Sequence, residues 1–374
     1  MLPSNVPAPS IHQFRPFMAE NVATYLAASL CPQEDGRVLI GEGPQVAAFE
    51  NELTAYCGHP LLATSSGTAA LWLAYRLANI RPRDVVITSP LSCLASTQSL
   101  LHFGAHIRWA DVDPMTGMID PEEVRRNTFG ASAVVVVDWG GARAEIRTIR
   151  EICDEKGMVL IEDAAHSFGV FRTPAMLRAH FIAYSFQAIK ALTTGDGGAL
   201  YCEQPMQRDR ARRLRWFGLD RTLGASMRCT QDVGEPGYKF QMNDIAASIG
   251  RANLVDLEAR IERAREIART YDRHFMPERQ GILPFRRQDA DTAWLYSVRV
   301  HSAQRFIAAM ATEGIETSQV HARNDVQSMF ASSRRTLLGM DTLEREMVCL
   351  PCGWWMSDDD VQRVIRSARK WARA

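Results

Sequence analysis

Residues 184–200 read YSFQAIKALTTGDGGAL, and the setting of the one lysine in this stretch decides the fold. Lys190 stands between QAI and ALTTG, five residues after Ser185, and the chain then runs into GGALYC. Small, hydroxyl and apolar neighbours suit a solvated ammonium poorly. Burial lowers a lysine's pKa, and a neutral amine is a nucleophile. Glycines after it let the backbone turn sharply. The stretch reads as a strand end, a lysine placed for covalent chemistry, a glycine turn and a second strand.

Upstream, short apolar runs alternate with helical patterns. PLLAT leads into the helix GTAALWLAYRLANI; DVVITSP, HIRWADV and SAVVVVDW read as strands. IRTIREICDEKG is an amphipathic helix ending at Gly157, and MVLIED is the next strand, followed by FIAYSF and GALYCE. This βαβ alternation predicts an α/β fold with a mostly parallel sheet covered by helices. Downstream the texture changes. Residues 242–275 form one long helical pattern, with a bend expected near Gly250. A strand (AWLYSVRV), a helix (AQRFIAAMATEG), a strand (IETSQVH) and a final helix (DDDVQRVIRSARKWAR) follow. The expected organisation is a large domain over residues 1–245 and a smaller α+β domain over 246–374.

Two further stretches share the lysine's side of the pattern. In TSSGTAAL (64–71) a strand ends and Ser66, Gly67 and Thr68 open a helix. Free N–H groups and the helix dipole favour a phosphate there, although Ser or Thr at that position also serves as an ordinary N-cap. In VLIEDAAHSFG, Asp163 ends an apolar strand, where open α/β sheets bind ligands. A carboxylate there either caps a helix or pairs with a cation. His166 follows three residues later. An aldehyde cofactor with a phosphate and a ring nitrogen, pyridoxal 5'-phosphate, uses all three pieces: a lysine, a carboxylate for the ring nitrogen, and a phosphate cup.

Composition excludes other classes. The 43 basic and 43 acidic residues cancel, which argues against nucleic acid or an anionic membrane as partner. No apolar run reaches the roughly 18–20 residues of a membrane helix, and MLPSNVPAPSIHQFRPF lacks a signal-peptide core; the chain reads as cytoplasmic. RDRARRLR (208–215) reads as a solvated helix face. Cys349 and Cys352 have CxxC spacing, but a second pair is missing and Pro351 lies between them in an apolar stretch, so no metal or redox site is expected. His102 and His106 read as packing residues.

Together these motifs resemble the DegT family of pyridoxal-phosphate-dependent sugar-nucleotide aminotransferases. GEGPQVAAFENELTAYCG, SSGTAAL, ADVDPMTGMID, IEDAAHSFG, the lysine motif and GYKFQMNDIAASIG follow in the family's order over nearly the whole length. The resemblance implies the type I fold of aspartate aminotransferase, with a mostly parallel seven-stranded sheet. It implies that Lys190 carries the cofactor and shuttles protons, that Asp163 pairs with the pyridine nitrogen, and that His166 lies near the phenolic oxygen. Ser66, Gly67, Thr68 and Ser185 become the phosphate cup. Gln241 or Asn243 becomes the residue that reaches the partner's phosphate in a homodimer with shared active sites. Two positions depart from the pattern: Cys93 stands where many members stack an aromatic residue on the cofactor, and Asp138 where they carry histidine. His321, Arg323 and Asn324 stand as substrate readers or as structural residues. The implied reaction moves an amino group, glutamate being the expected donor, to a nucleotide-linked ketosugar of 4-keto-6-deoxy or 3-keto type. Rivals are a cyclic ketone such as an inosose, a sugar 3-dehydratase (whose branch typically carries histidine at the lysine position) and a non-catalytic cofactor-binding regulator.

Overall fold

Seven short, largely apolar strands build the main sheet: β1 (Leu62–Thr64), β2 (Val85–Thr88), β3 (His106–Trp109), β4 (Ala131–Val137), β5 (Val159–Asp163), β6 (Phe181–Ser185) and β7 (Gly198–Cys202). The computed structural model describes residues 9–32, 36–38, 40–170, 177–224, 230–275 and 281–373. The amino-terminal residues 1–8, part of the stretch read above for a leader, lie outside them. Strand order is β1-β7-β6-β5-β4-β2-β3. Neighbours from β6 through β3 are parallel, and β7 alone runs antiparallel to both of its neighbours. Helices cover the sheet, which is buried on both faces, and its strands accordingly read as continuous apolar runs rather than alternating ones. This is the α/β fold with a mostly parallel sheet that the sequence predicts.

Register places the chemistry. Asp163, the last residue of β5, lies beside Val137 of β4 and Ala183 of β6. At the same edge Ser185 pairs with Gly198, and Gly198 with Thr64. The lysine strand and the TSSGT turn thus meet across β7.

A second, antiparallel sheet follows, ordered β10-β9-β8 with β8 (Ile282–Pro284), β9 (Tyr296–Val300) and β10 (Met347–Leu350). It packs on the helices Leu257–His274, Ala303–Thr312 and Asp358–Ala372 in a core of its own, with Tyr271, Phe306 and Val364 at the centre. Ile11 of the amino-terminal segment joins that core.

Three expectations differ from the structure. The helical pattern over 242–275 is two helices, Asp244–Leu254 and Leu257–His274, and the break falls at Val255–Asp256 rather than at Gly250. Gly250 serves packing instead: a Cβ there would come within 2.6 Å of the Phe49 ring and 2.7 Å of Thr194. Residues 315–321 form no strand; isolated bridges Ile11↔Ile315 and Ser318↔Cys349 are what the extended stretch makes. The run RDRARRLR is not wholly a solvated face either. Arg215 is buried and paired with Glu42 and Glu50.

Candidate active site

A cavity of about 480 Å³ opens at the carboxyl edge of β5 and β6. Lys190, Asp163 and His166 line it, as do Gly67, Ser185 and His321. Ser66, Thr68 and Cys93 complete its rim.

The phosphate end is built from a helix start. Ser66 caps the helix Gly67–Leu77, its Oγ accepting from the Ala69 N–H at 3.0 Å. The first-turn N–H groups of Gly67 and Thr68 have no acceptor within the helix. A Cβ on Gly67 would lie 2.8 Å from Ser185 Cβ and 3.1 Å from its Oγ. Glycine is therefore required for Ser185 to come this close to the helix start, where its hydroxyl and the first-turn N–H groups can form an anion cradle.

At the opposite end Asp163 is buried. Its Oδ2 accepts from Ser96 Oγ at 2.6 Å and its Oδ1 from the Ala165 N–H at 3.1 Å. Burial raises its pKa, against the pull of Ser96, Ala165 and Lys190. A carboxylate in this state favours a cationic partner, which a protonated pyridine nitrogen supplies. Lys190 Nζ lies 3.6 Å from the centre of the Trp294 ring. Burial lowers its pKa to about 7, with Asp163 and Cys93 acting the other way. His166 is kept neutral by burial, then by Lys190 and His321. Its Nδ1 accepts from the Gly140 N–H at 3.3 Å, which leaves the proton on Nε2. The lysine, buried carboxylate and anion cradle fit pyridoxal phosphate.

The remaining sequence candidates divide. Cys93 is exposed in the cavity at the start of the helix Leu94–His102. His321 reaches the cavity, its Nε2 buried and without a partner among the described residues. It follows Val320, a β-branched residue at φ +65°, a conformation that costs about 1–3 kcal/mol and is held by its surroundings. Arg323 and Asn324 point elsewhere. Arg323 is buried between Asp325, Asp341 and Glu344. Asn324 donates to Ser92 Oγ and Thr97 Oγ1, tying down the loop that carries Cys93. Both have structural partners rather than a face on the cavity. Asn243 caps its own helix, Oδ1 accepting from the Ala246 N–H at 2.8 Å. Gln241 bridges Thr64 through its backbone, and its buried Oε1 has no partner among the described residues. Asp138 accepts from Ser167 Oγ and the Ala144 N–H, so it braces the His166 loop.

Sequence reasoning missed Trp294, whose ring lies 4.1 Å from that of His166. AWLYSVRV reads as a strand, but β9 begins at Tyr296, and Ala293 at φ +51° turns the indole over the lysine. It also missed Ser96, which donates to Asp163, and Asp196, which lines the cavity, polar groups that no spacing marks. Cys349 and Cys352 are buried, and burial pushes both thiols up to about 12. Among the described residues no group of His, Cys, Asp or Glu is arranged to hold a metal, and no helix is long and apolar enough to cross a membrane.

Residues 30–369 match the family described as DegT/DnrJ/EryC1/StrS aminotransferase. Over 350 residues the chain is 32% identical to the spore coat polysaccharide biosynthesis protein SpsC of Bacillus subtilis (strain 168), covering 88% of this chain and 90% of that one. Over 256 residues it is 34% identical to dTDP-4-dehydro-2,3,6-trideoxy-D-glucose 4-aminotransferase of Saccharopolyspora spinosa, covering 65% and 66%. The crystal structure of AtS13 from Actinomadura melliaura superposes with a TM-score of 0.90 at 32% identity, covering 97% of this chain and 99% of that one.

Proposed function

The chain belongs to the DegT/DnrJ/EryC1/StrS aminotransferase family, a pyridoxal-phosphate-dependent sugar aminotransferase, and from this premise we propose that its acceptor is a nucleotide-linked ketosugar and its donor glutamate. The acceptor is of 4-keto-6-deoxy or 3-keto type; the named activity of the Saccharopolyspora relative, on a dTDP-4-keto sugar, supports this class. The observation that carries the reading is the near-neutral Lys190 beside buried Asp163, opposite the Gly67–Ser185 cradle.

The Gly67 and Thr68 N–H groups and the Ser185 hydroxyl would hold the phosphate, Asp163 the ring nitrogen, and His166 Nε2–H the phenolic oxygen. When bound, pyridoxal phosphate supplies an aldehyde that bonds to amines and a ring that stores the electron pair left by a departing proton. Lys190 Nζ takes the proton from the donor's α-carbon in the first half-reaction and delivers one to the ketosugar carbon in the second. A pKa near neutrality lets one amine do both. Asp163 would hold the ring nitrogen protonated, which lets the ring accept that electron pair. The Trp294 ring lies over Lys190 Nζ and holds it beside the cavity. His321 Nε2 bonds an oxygen of the acceptor.

The test is a panel of keto-sugar nucleotides and cyclic ketones, each offered after glutamate has bleached the bound cofactor's visible colour. Colour returns with a nucleotide-linked ketosugar. Failure to bleach with any amino acid, or return only with an unlinked cyclic ketone, overturns the reading.

A further inference from the structure

A smaller cavity of about 40 Å³ lies behind Trp294, and Lys190 and Trp294 line it as well as the larger one. Arg260, in the first turn of the helix Leu257–His274, forms part of its wall. This residue is only 8% exposed. Its guanidinium carbon lies 3.6 Å from the centre of the Phe17 ring. Nη2 donates to the Asn253 carbonyl at 2.6 Å. Nε and Nη1 are buried and have no hydrogen-bond partner among the described residues. Among the described residues no carboxylate pairs with it; Asp256 acts on it only at longer range, and burial brings its pKa down to about 10, so it is charged at neutral pH.

A buried, charged guanidinium with two unused donors is costly unless something anionic completes it. Arg287 also leaves Nε and Nη1 without a partner among the described residues, but it is paired with Asp272. Arg215 and Arg323, equally buried, are each surrounded by carboxylates. A second cation, exposed Arg15, stands at the slot with its guanidinium 5.5 Å from the Trp354 ring. The walls between them are apolar, Ile261 and Trp355 among them, and an ion pair formed there is little screened. The slot has room for a few waters or a small planar anion, and a nucleotide diphosphate does not fit. The position then selects the ligand. Any amino-acid donor must bring its amine to the Lys190 position, with a carboxylate joined to the same carbon.

We propose that Arg260, assisted by Arg15, is the subsite for a carboxylate of the amino-acid donor, reached past Lys190 and Trp294. The inference rests on the reading that the donor is an amino acid. A neutral or phosphate-bearing sugar has no carboxylate to place there, so the subsite serves the donor half-reaction alone. It sets which amines are accepted without reading the acceptor.

The probe is glutarate, a dicarboxylate without an amine, titrated into the holoenzyme while tryptophan fluorescence is followed; Trp294, Trp354 and Trp355 line the slot. Wild type should give a saturable change, and neutral glutaramide none. Arg260→Gln should weaken glutarate at least about tenfold, the change expected for losing a charge-assisted hydrogen bond. Arg260→Lys should recover part of that loss. In stopped-flow half-reactions, Arg260→Gln should raise the KM for glutamate by a similar factor and leave the KM for the amino-sugar nucleotide unchanged. Equal glutarate affinity in wild type and Arg260→Gln, displacement of glutarate by equimolar chloride, or both half-reactions falling together would overturn the proposal. If Arg260→Gln fails to fold, the exposed Arg15→Gln replaces it: a loss of about threefold supports the subsite on the same charge argument, and an unchanged affinity rejects it. Glutarate binding that needs Arg260, in an enzyme that no amino acid bleaches, would sink the donor reading and this inference's link to it. Bleaching of Arg260→Gln by glutamate with the wild-type KM would sink the subsite alone.

Discussion

Burial does two opposed things to Lys190. It readies the amine for chemistry, and it costs stability wherever the amine is charged. Native Lys190 loses its proton near pH 7, whereas the unfolded chain holds it to the ordinary 10.5. Between these values the unfolded state binds more protons, so stability rises with pH. Lys190→Met should therefore stabilise the cofactor-free protein at pH 7 by about 2–4 kcal/mol, and the gap should close toward pH 10; denaturant melts at three pH values measure it. A gap that is constant with pH would mean a solvated amine. The same variant, or Lys190→Ala, should purify without the visible band of the lysine-bound cofactor and without turnover. Asp163→Asn tests the other pole. The amide cannot hold a charge on the ring nitrogen, so cofactor should still bind while the half-reaction slows about 10²-fold or more. Unchanged rates would reduce Asp163 to a partner of Ser96 and the Ala165 N–H. Both residues are legible from sequence, since a strand end and a glycine turn lie within a few positions of each. Trp294 is not, because its place over the ammonium depends on how the second sheet meets the first.

At the scale of elements, close approach decides what the local pattern leaves open. Gly250 lies inside the helix Asp244–Leu254, where alanine would gain about 1 kcal/mol of helix propensity. Its neighbours cannot yield: Phe49 is fully buried and sits edge-on to Phe186. Overpacking costs about 1–3 kcal/mol, and Gly250→Ala should lower the melting temperature despite the better helix former. Gly67→Ala makes a similar clash at the phosphate cradle, so its expected signature is weaker cofactor binding, read as Kd by equilibrium dialysis. The end of β10 carries the CxxC pair. Cys349 Sγ lies 3.4 Å from Ser297 Oγ, and Cys352 Sγ donates to the Ala264 carbonyl. Replacing both with serine should leave the activity intact and cost about 1–3 kcal/mol of stability through buried hydroxyls; zinc that disappears with the pair would refute this. The misplaced helix bend has the same origin as the glycine. Periodicity shows that 242–275 is helical and amphipathic, but a glycine can mark a hinge or a contact, and the partner 200 residues away in sequence chooses.

For the whole molecule, the stretch 238–243 raises the question of assembly. Asn243 is used in cis as a cap, which leaves Gln241, with its unpartnered buried oxygen, as the candidate for a neighbouring subunit. The Asp244 N–H meets the carbonyls of Ile40 and Gly41, so this stretch lies beside the segment that exposes Val38 and Ile40, and Ile245 is exposed next to it. Apolar groups gathered around an unsatisfied polar one suit a two-fold contact. The proposed dimer with shared sites makes two expectations. Ile245→Asp should shift sedimentation toward monomer and reduce activity on dilution. Lys190→Ala chains reassembled with Gln241→Ala chains should regain activity toward about half per heterodimer, because one of the two sites escapes both lesions. Mixed dimers without recovery would show that each chain completes its own site.

Sequence alone determined the strand ends and the helix start around the cofactor site, and the residue chemistry attached to them. Asp163, Ser185, Lys190 and the SSGT turn were readable because each is set by neighbours within one turn or strand. The order of these pieces also sufficed to identify the family. Tertiary structure decided the rest. His321, Arg323 and Asn324 are nearly adjacent in the chain, yet one faces the cavity, one is held by three acidic groups, and one braces the Cys93 loop. No local pattern separates them, since direction in an irregular segment is fixed by distant partners. The charge state of Lys190 and the open valences of Arg260 likewise come from what is packed around them, and desolvation depends on every neighbour, near or far in the chain.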